Sequence, residues 1–213
     1  MNHDGGAPPA FTVLFVCTGN ICRSALAERL GRDYLRERLG ARSAAIRLVS
    51  AGTRAVVGSA MHPDTALVLR GFGAEPGDFR AQQLHESLIA GADLTLTMTR
   101  DHRRAVLGQA PRALARTFTV REAAALLAGL GDDTELPGAS FPDRARAMVA
   151  ALGAQRARQG SGRDDDVPDP IGRPLEFQQE VGDLIAATLL PVLARFADLA
   201  SSSGGQPPDS SGN

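Results

Sequence analysis

Apolar residues recur along this chain in two periods, and the switching between them lays out alternating strands and helices. Residues 13–16 form a continuous apolar, β-prone run, and Phe11 extends it. After a tight polar turn, apolar positions at helical spacing predict a helix over 24–39, stopped by Gly40. Residues 46–49 read as a second strand, followed by a turn at Ser50, Ala51, Gly52 and Thr53. A helix is expected over 64–69, ending at Gly71, then an extended piece over 79–84 and a brief helix. Residues 93–98 (DLTLTM) alternate polar and apolar, the pattern of a third strand, with helix again over 103–107. A fourth strand is expected over 116–120, then helices over 121–130 and 141–158. Residues 161–174 are dense in Asp, Pro and Gly and read as loop. Residues 175–199 carry the longest amphipathic pattern, with Phe177, Val181, Leu184, Ile185, Leu189 and Val192 near one face and a bend expected at Pro191. Strands alternating with helices predict an α/β fold, a parallel sheet covered on both faces. The expected division is an unstructured 1–10, one domain over 11–199, and an unstructured, low-complexity tail over 200–213.

Composition narrows the function classes. A 43% apolar share among 213 residues is enough for one substantial core. The formal net charge of -1 gives no reason to expect nucleic acid or an anionic membrane as partner. Every basic side chain is arginine. Residues 1–10 are polar and contain Gly and Pro, unlike a signal peptide, and no apolar run looks long enough to cross a membrane. The expected location is the cytoplasm. Both cysteines fall in one short loop, so a structural disulfide framework is excluded.

That loop carries the chemistry. Cys17 stands at the carboxyl end of the first strand. Thr18, Gly19, Asn20, Ile21 and Cys22 follow, then Arg23 and Ser24 at the start of the first helix. The order predicts a loop whose backbone amides point inward over the thiol, with the helix N-terminus adding partial positive charge. Such a cradle suits a tetrahedral oxyanion with a nucleophile beneath it. Cysteine attacks as thiolate, and a helix N-terminus beside a cation favours that form. The planar fork of Arg23 matches two phosphate oxygens at once. Gly19 is expected to permit the inward turn of the amides, and Asn20 tolerates left-handed backbone. Ser24 is placed to donate to the thiolate. Cys-x5-Arg alone is a weak signal; the string VCTGNICRS between a strand and a helix is a strong one.

This string resembles the low-molecular-weight protein tyrosine phosphatase family, whose loop is V-C-x-G-N-x-C-R-S. Ser50, Ala51, Gly52 and Thr53 resemble the family's SAGT segment. Ala92 through Met98 with His102 resembles its ADLILxM…H block, and Val167, Pro168, Asp169 and Pro170 its VPDP segment. The resemblance implies a single-domain three-layer sandwich around a four-stranded parallel sheet, with the phosphate loop between strand 1 and helix 1. It also implies a cysteine-dependent phosphatase working through a cysteinyl-phosphate, most readily on protein phosphotyrosine. Cys17 is then the nucleophile, Arg23 the phosphate clamp, and Asp169 the acid that protonates the leaving group and later activates water. Residues 18–24 hold the phosphate, and Ser50 with Asn20 supports the loop from behind. Cys22 reads either as a small filler or as a partner for reversible disulfide formation with Cys17. Asp164, Asp165 and Asp166 read as a solvated run. His62, His85 and His102 read as surface or capping residues, not metal ligands. No metal or organic cofactor is expected, since Arg23 and the amides do the charge work. The expected partner is a phosphorylated protein or small phosphoester.

The chain departs from the family at places that bear on substrate choice. Tyrosine-selective members carry aromatic pocket walls after SAGT and after Asp-Pro, where this chain has Arg54, Ala55, Val56 and Val57, and Ile171 and Gly172. Aliphatic walls cannot stack on a phenyl ring, which favours a phosphoarginine or small phosphoester substrate. Ile21 argues the other way, because the arginine-phosphate branch carries threonine there. Ala25 replaces the usual proline, Gln82 stands where arginine is common, and 107–163 is longer than in compact members. Three other readings fit less well. Arsenate reduction would need relay cysteines outside the loop. A phosphoryl-carrier domain would have no use for Arg23 and Asp169, and a non-catalytic phosphopeptide binder would not retain all three catalytic parts.

Overall fold

The computed structural model describes residues 10–131, 134–159 and 165–202. Its centre is β1 (Phe11–Cys17), whose unbroken apolar run is buried on both faces, as a strand inside a parallel sheet must be. On one side β1 pairs with β2 (Ile46–Gly52), in a register that sets Phe15 opposite Ser50 and Cys17 opposite Gly52. On the other side lies β3 (Leu94–Thr97), and beyond it β4 (Thr117–Thr119). All pairings are parallel and the order is β2-β1-β3-β4, the four-stranded sheet expected.

Alternation along β1 builds two cores. Phe11, Val13 and Phe15 face the larger one, shared with α1 (Arg23–Leu39), α2 (Pro63–Gly71), α5 (Val120–Ala128), α6 (Phe141–Gln159) and α7 (Leu175–Ser202). Leu14 and Val16 face the smaller one. There they meet Val49 and Ala51 of β2, Ile89 of α3 (Glu86–Ala90) and Val106 of α4 (Arg100–Gln109). The carboxyl ends of β1, β2 and β3 thus come out together at one edge, the place where ligands bind in open α/β sheets.

Three expectations need adjusting. β2 does not stop at Val49; Ser50, Ala51 and Gly52 continue it, held by pairing with β1, and the turn starts at Thr53. α7 reaches Ser202, three residues beyond the expected domain end, and Ala200 is buried. Pro191 sits inside that helix without ending it. The unstructured ends expected over 1–9 and 203–213 lie outside the described residues. Finally, α7 is long and apolar enough to span a membrane by length and composition, with a mean hydropathy of 1.6 over its best window. The reading that no run has that length is corrected. The apolar positions of α7 pack against α1, α2, α5 and α6 instead.

Within 107–163 the longest element is α6. Its Ala145, Met148 and Leu152 are buried, and Phe141 meets Phe11 edge-on at 6.2 Å. Arg156 of α6 lies 4.5 Å over the Phe118 ring and donates to the Thr117 carbonyl at 2.8 Å, tying the helix to the outer strand.

Candidate active site

Cys17 ends β1 and Arg23 begins α1, so residues 18–22 cross the carboxyl edge of the sheet in one tight loop. The segment after β2 turns the loop's carbonyls outward. The amides of Thr53, Arg54, Val56 and His62 donate to the carbonyls of Cys17, Thr18, Gly19 and Ile21 at 2.9–3.0 Å. With those carbonyls pinned from outside, the loop's own amides face the opposite way. That leaves a nest of N–H dipoles suited to an anion. Gly52 allows the close approach, since a Cβ there would lie 2.4 Å from the Thr18 carbonyl oxygen.

Asn20, not Gly19, carries the unusual backbone. It is the one non-glycine residue with positive φ among the described residues, at 55°. Gly19 has no positive φ, and a Cβ on it would meet only ordinary contacts with Ile21 and Val56 at 3.5 and 3.7 Å. The expectation that Gly19 is needed for the turn is therefore corrected. Asn20 is completely buried and serves as the hub behind the loop. Its amide nitrogen donates to Ser24 Oγ at 2.9 Å and Ser50 Oγ at 2.8 Å, and its Oδ1 accepts the Gln82 amide at 2.8 Å. Ser50 Oγ in turn donates to Glu28 Oε2 at 2.5 Å, and Glu28 pairs with Arg32 at 2.8 Å. Ser50 thus sits in the supporting position expected of it. Gln82 contributes what its sequence position did not suggest, since its Nε2 also donates to the Ser50 carbonyl at 2.8 Å.

Two polar groups reach the sulfur itself. Ser24 Oγ lies 2.9 Å from Cys17 Sγ, and the Asn20 amide reaches it at 3.3 Å. Cys17 is 2% exposed, at the bottom of the arrangement. A cavity of about 360 Å³ opens beside it, lined by Thr18, Arg23, Arg54, Asp101, His102 and Asp169 among others. Arg23 is 4% exposed; one terminal nitrogen donates to the Val167 carbonyl at 3.0 Å and the other pairs with Asp169 Oδ2 at 2.9 Å. Its Nε is buried with no partner among the described residues. The Asp169 side chain remains 54% exposed, and its Oδ1 accepts the Ile171 amide at 3.2 Å. The loop carrying it is held by Val167, whose amide donates to the Met98 carbonyl, and by Gln178, whose side chain donates to the Pro170 carbonyl. Asp169, distant in sequence, is thus brought against Arg23 at the head of α1, close after Cys17.

Two readings of polar residues change. His102 is neither on the surface nor a mere cap. It is buried, lines the cavity, and places Nε2 2.8 Å from Thr18 Oγ and Nδ1 2.8 Å from Thr99 Oγ. Burial first, and the Arg23 charge second, push its pKa down to about 4, so the ring is neutral near pH 7. The signal in the sequence was its place three residues after Thr99 at the mouth of a helix following a strand. His62 and His85 do stand at helix N-caps, without side-chain capping bonds. The acidic run is not simply solvated. Asp165 is buried, burial pushes its carboxyl up, and its Oδ2 has no partner among the described residues. Asp166 Oδ1 accepts the Arg100 amide at 2.8 Å, at the head of α4. Asp164 lies outside the described residues.

Cys22 is a buried free thiol at the N-cap of α1. Burial pushes it up to about 11, against a hydrogen bond with Thr65 that pulls it down. Val56, Val57 and Ile171 are all exposed aliphatic side chains.

Comparison with known proteins agrees with this geometry. The family model described as low molecular weight phosphotyrosine protein phosphatase matches residues 12–126. The chain is 34% identical over 111 residues to the probable low molecular weight protein-tyrosine-phosphatase EpsP of Ralstonia nicotianae, covering 52% of this chain and 71% of that protein. It is 27% identical over 184 residues to a protein-arginine-phosphatase of Geobacillus stearothermophilus, covering 86% and 94%. Among solved structures, the YwlE arginine phosphatase from the same organism matches with a TM-score of 0.66 at 24% identity, over 92% of this chain and 99% of that one, a likeness of fold.

Proposed function

We propose, from the premise that this chain belongs to the low molecular weight phosphotyrosine protein phosphatase family, that it hydrolyses phosphomonoesters of proteins, phosphotyrosine foremost, with Cys17, Arg23 and Asp169 as the reacting set. The observation that carries the reading is a sulfur reached by two polar groups, at 2.9 and 3.3 Å, on the floor of a loop whose carbonyls are tied outward.

In the first step Cys17 Sγ attacks phosphorus and the bond to the leaving oxygen breaks. The loop amides and Arg23 hold the three non-bridging oxygens, where charge builds up. The Nε of Arg23, buried without a partner among the described residues, suits one of them. The substrate also takes over the guanidinium nitrogen that Asp169 holds in the free protein. Released from that partner, the Asp169 carboxyl is placed to give a proton to the leaving oxygen. In the second step the Asp169 carboxylate takes a proton from water, water oxygen bonds to phosphorus, and the P–S bond breaks. The departing thiolate is received by the Ser24 hydroxyl and the Asn20 amide. Substrate entry requires the Arg23–Asp169 pair to part, which the exposure of Asp169 permits. Nothing in these steps routes through a metal, and the proposed location is the cytoplasm.

A second reading has its own support. The relative named protein-arginine-phosphatase aligns over most of the chain, and Val56, Val57 and Ile171 are exposed aliphatic side chains that cannot stack on an aryl ring. Parallel turnover of an aryl phosphate, a phosphotyrosine peptide and phosphoarginine separates the two. Cys17→Ser is expected to abolish hydrolysis. Asp169→Asn should leave a phosphorylated thiol that turns over slowly. Undiminished hydrolysis by Cys17→Ser would falsify the proposal.

A further inference from the structure

We infer that His102 is a positioning residue, whose Nε2–H fixes the Thr18 hydroxyl so that its proton points into the phosphate cavity as one more donor to the substrate. This rests on the phosphatase reading of that cavity. The chain of bonds starts at the head of α4. Thr99 is the N-cap, and its Oγ accepts the His102 backbone N–H at 3.2 Å. The Thr99 hydroxyl still has a proton to place, and the ring nitrogen Nδ1 lies 2.8 Å away. Thr99 therefore donates to Nδ1, which must be the unprotonated nitrogen of a neutral ring. The ring proton is then on Nε2, which donates to Thr18 Oγ at 2.8 Å.

An oxygen receiving that bond cannot also give its proton back to the ring. The Thr18 proton is left to the side facing the cavity, which Thr18 lines together with Arg23 and Asp169. A capping duty at one helix thus decides the tautomer of a buried histidine, and the tautomer decides the polarity of a hydroxyl in a different loop. The chain of bonds runs Thr99 to His102 to Thr18, each at 2.8 Å, and it links the carboxyl end of β3 to that of β1. His102 touches no substrate in this scheme; it acts only through Thr18.

Long-range proton–nitrogen correlation spectra of the free protein read the tautomer directly. Nδ1 should be unprotonated and Nε2 protonated, and the reverse assignment overturns the inference. On an aryl phosphate, Thr18→Val and His102→Phe should each lower kcat/KM about tenfold, the usual worth of one hydrogen bond to a charged group. His102→Gln, whose amide nitrogen overlays Nε2, should retain most of the activity. Thr18→Val combined with His102→Phe should be no worse than Thr18→Val alone, because the two share one effect. Additive losses would mark a merely structural histidine and overturn the inference. Should His102→Phe fail to fold, the spectra and the Thr18→Val rate still decide it. Wild-type protein without Cys17-dependent turnover overturns both this inference and the phosphatase reading. Active wild type with an unaffected Thr18→Val overturns this inference alone.

Discussion

Asn20 is the residue whose loss should reveal most about the loop, because its backbone and its side chain do separate work that two substitutions can divide. Asn20→Gly keeps the left-handed backbone and removes the side chain. Ser24 and Ser50 keep their other partners, Cys17 and Glu28, but the Gln82 amide loses its acceptor. Two donor bonds at roughly 0.5–1.5 kcal/mol each and one stranded amide at roughly 1–3 kcal/mol set the loss at about 2–6 kcal/mol. Asn20→Ala suffers the same loss and must also hold φ at 55°. That strain is worth roughly 1–2 kcal/mol, against glycine's extra unfolded-state entropy of roughly 0.5–1 kcal/mol. Alanine should therefore be the less stable of the two by about 0.5–1 kcal/mol. Denaturant unfolding with an unchanged m-value measures both differences, and turnover of an aryl phosphate should fall in both variants as the loop amides lose their fixed directions. If Asn20→Ala unfolds within about 1 kcal/mol of wild type, the hub described here is not holding the loop. If alanine proves no worse than glycine, the backbone half of the reasoning is wrong.

Two glycines should respond in opposite ways. Gly52→Ala drives a Cβ to 2.4 Å from the Thr18 carbonyl oxygen and 3.0 Å from Ala55, so about 2 kcal/mol or more of stability should go, and activity with it. Gly19→Ala, inside the signature string itself, should stay within about 0.5 kcal/mol of wild type and remain active, as thermal melts and turnover would show. His102 makes stability pH-dependent. Its pKa falls from 6.5 to about 4 on folding, among the charges of Arg23, Asp169, Asp101 and Asp166. Between those values the unfolded chain binds a proton that the folded chain does not, so stability is fully present above pH 6.5 and is lost as pH falls toward 4, by up to about 3 kcal/mol. His102→Gln should flatten the pH dependence of the unfolding midpoint in that window, and an unaltered slope would contradict the assignment. Cys22, pushed up to about 11, stays a thiol at pH 8; alkylation followed by peptide mass spectrometry should mark Cys17 and reach Cys22 only on unfolding.

What the sequence revealed, and what it hid, follows from how local each feature is. The order of strands and helices was legible because each is written in its own periodicity: the unbroken FTVLFV of β1, the alternation of β3, the long stripe of α7. Boundaries moved where pairing with a neighbour decided them. Ser50 to Gly52 reads as turn by composition but is strand, because β1 offers it a partner as far as Cys17. The composition of α7 reads as membrane-capable once its full 28 residues are taken together, and only its contacts with α1 and α2 show where that surface goes. In the site, the string around Cys17 was legible because its spacing and residue types carry the chemistry, whereas Asp169 stood out from its acidic loop only through the resemblance of residues 167–170 to the family's VPDP segment.

The residues that were misjudged have one property in common: their environment is set by chain segments remote in sequence. Nothing near His102 announces that Thr18, eighty-four positions earlier, waits beside its ring. Nothing in an Asp-Asp-Asp run says that its middle member will be buried while the next one caps α4. How Gly19 and Asn20 divide the work of the turn was hidden for a different reason. Both residue types tolerate left-handed backbone, so composition could not say which uses it. The side chain settles that question, since only asparagine can also bond Ser24, Ser50 and Gln82 from that position. The strained position therefore fell to the residue that could compensate it with three hydrogen bonds, and glycine was left beside it with nothing to strain.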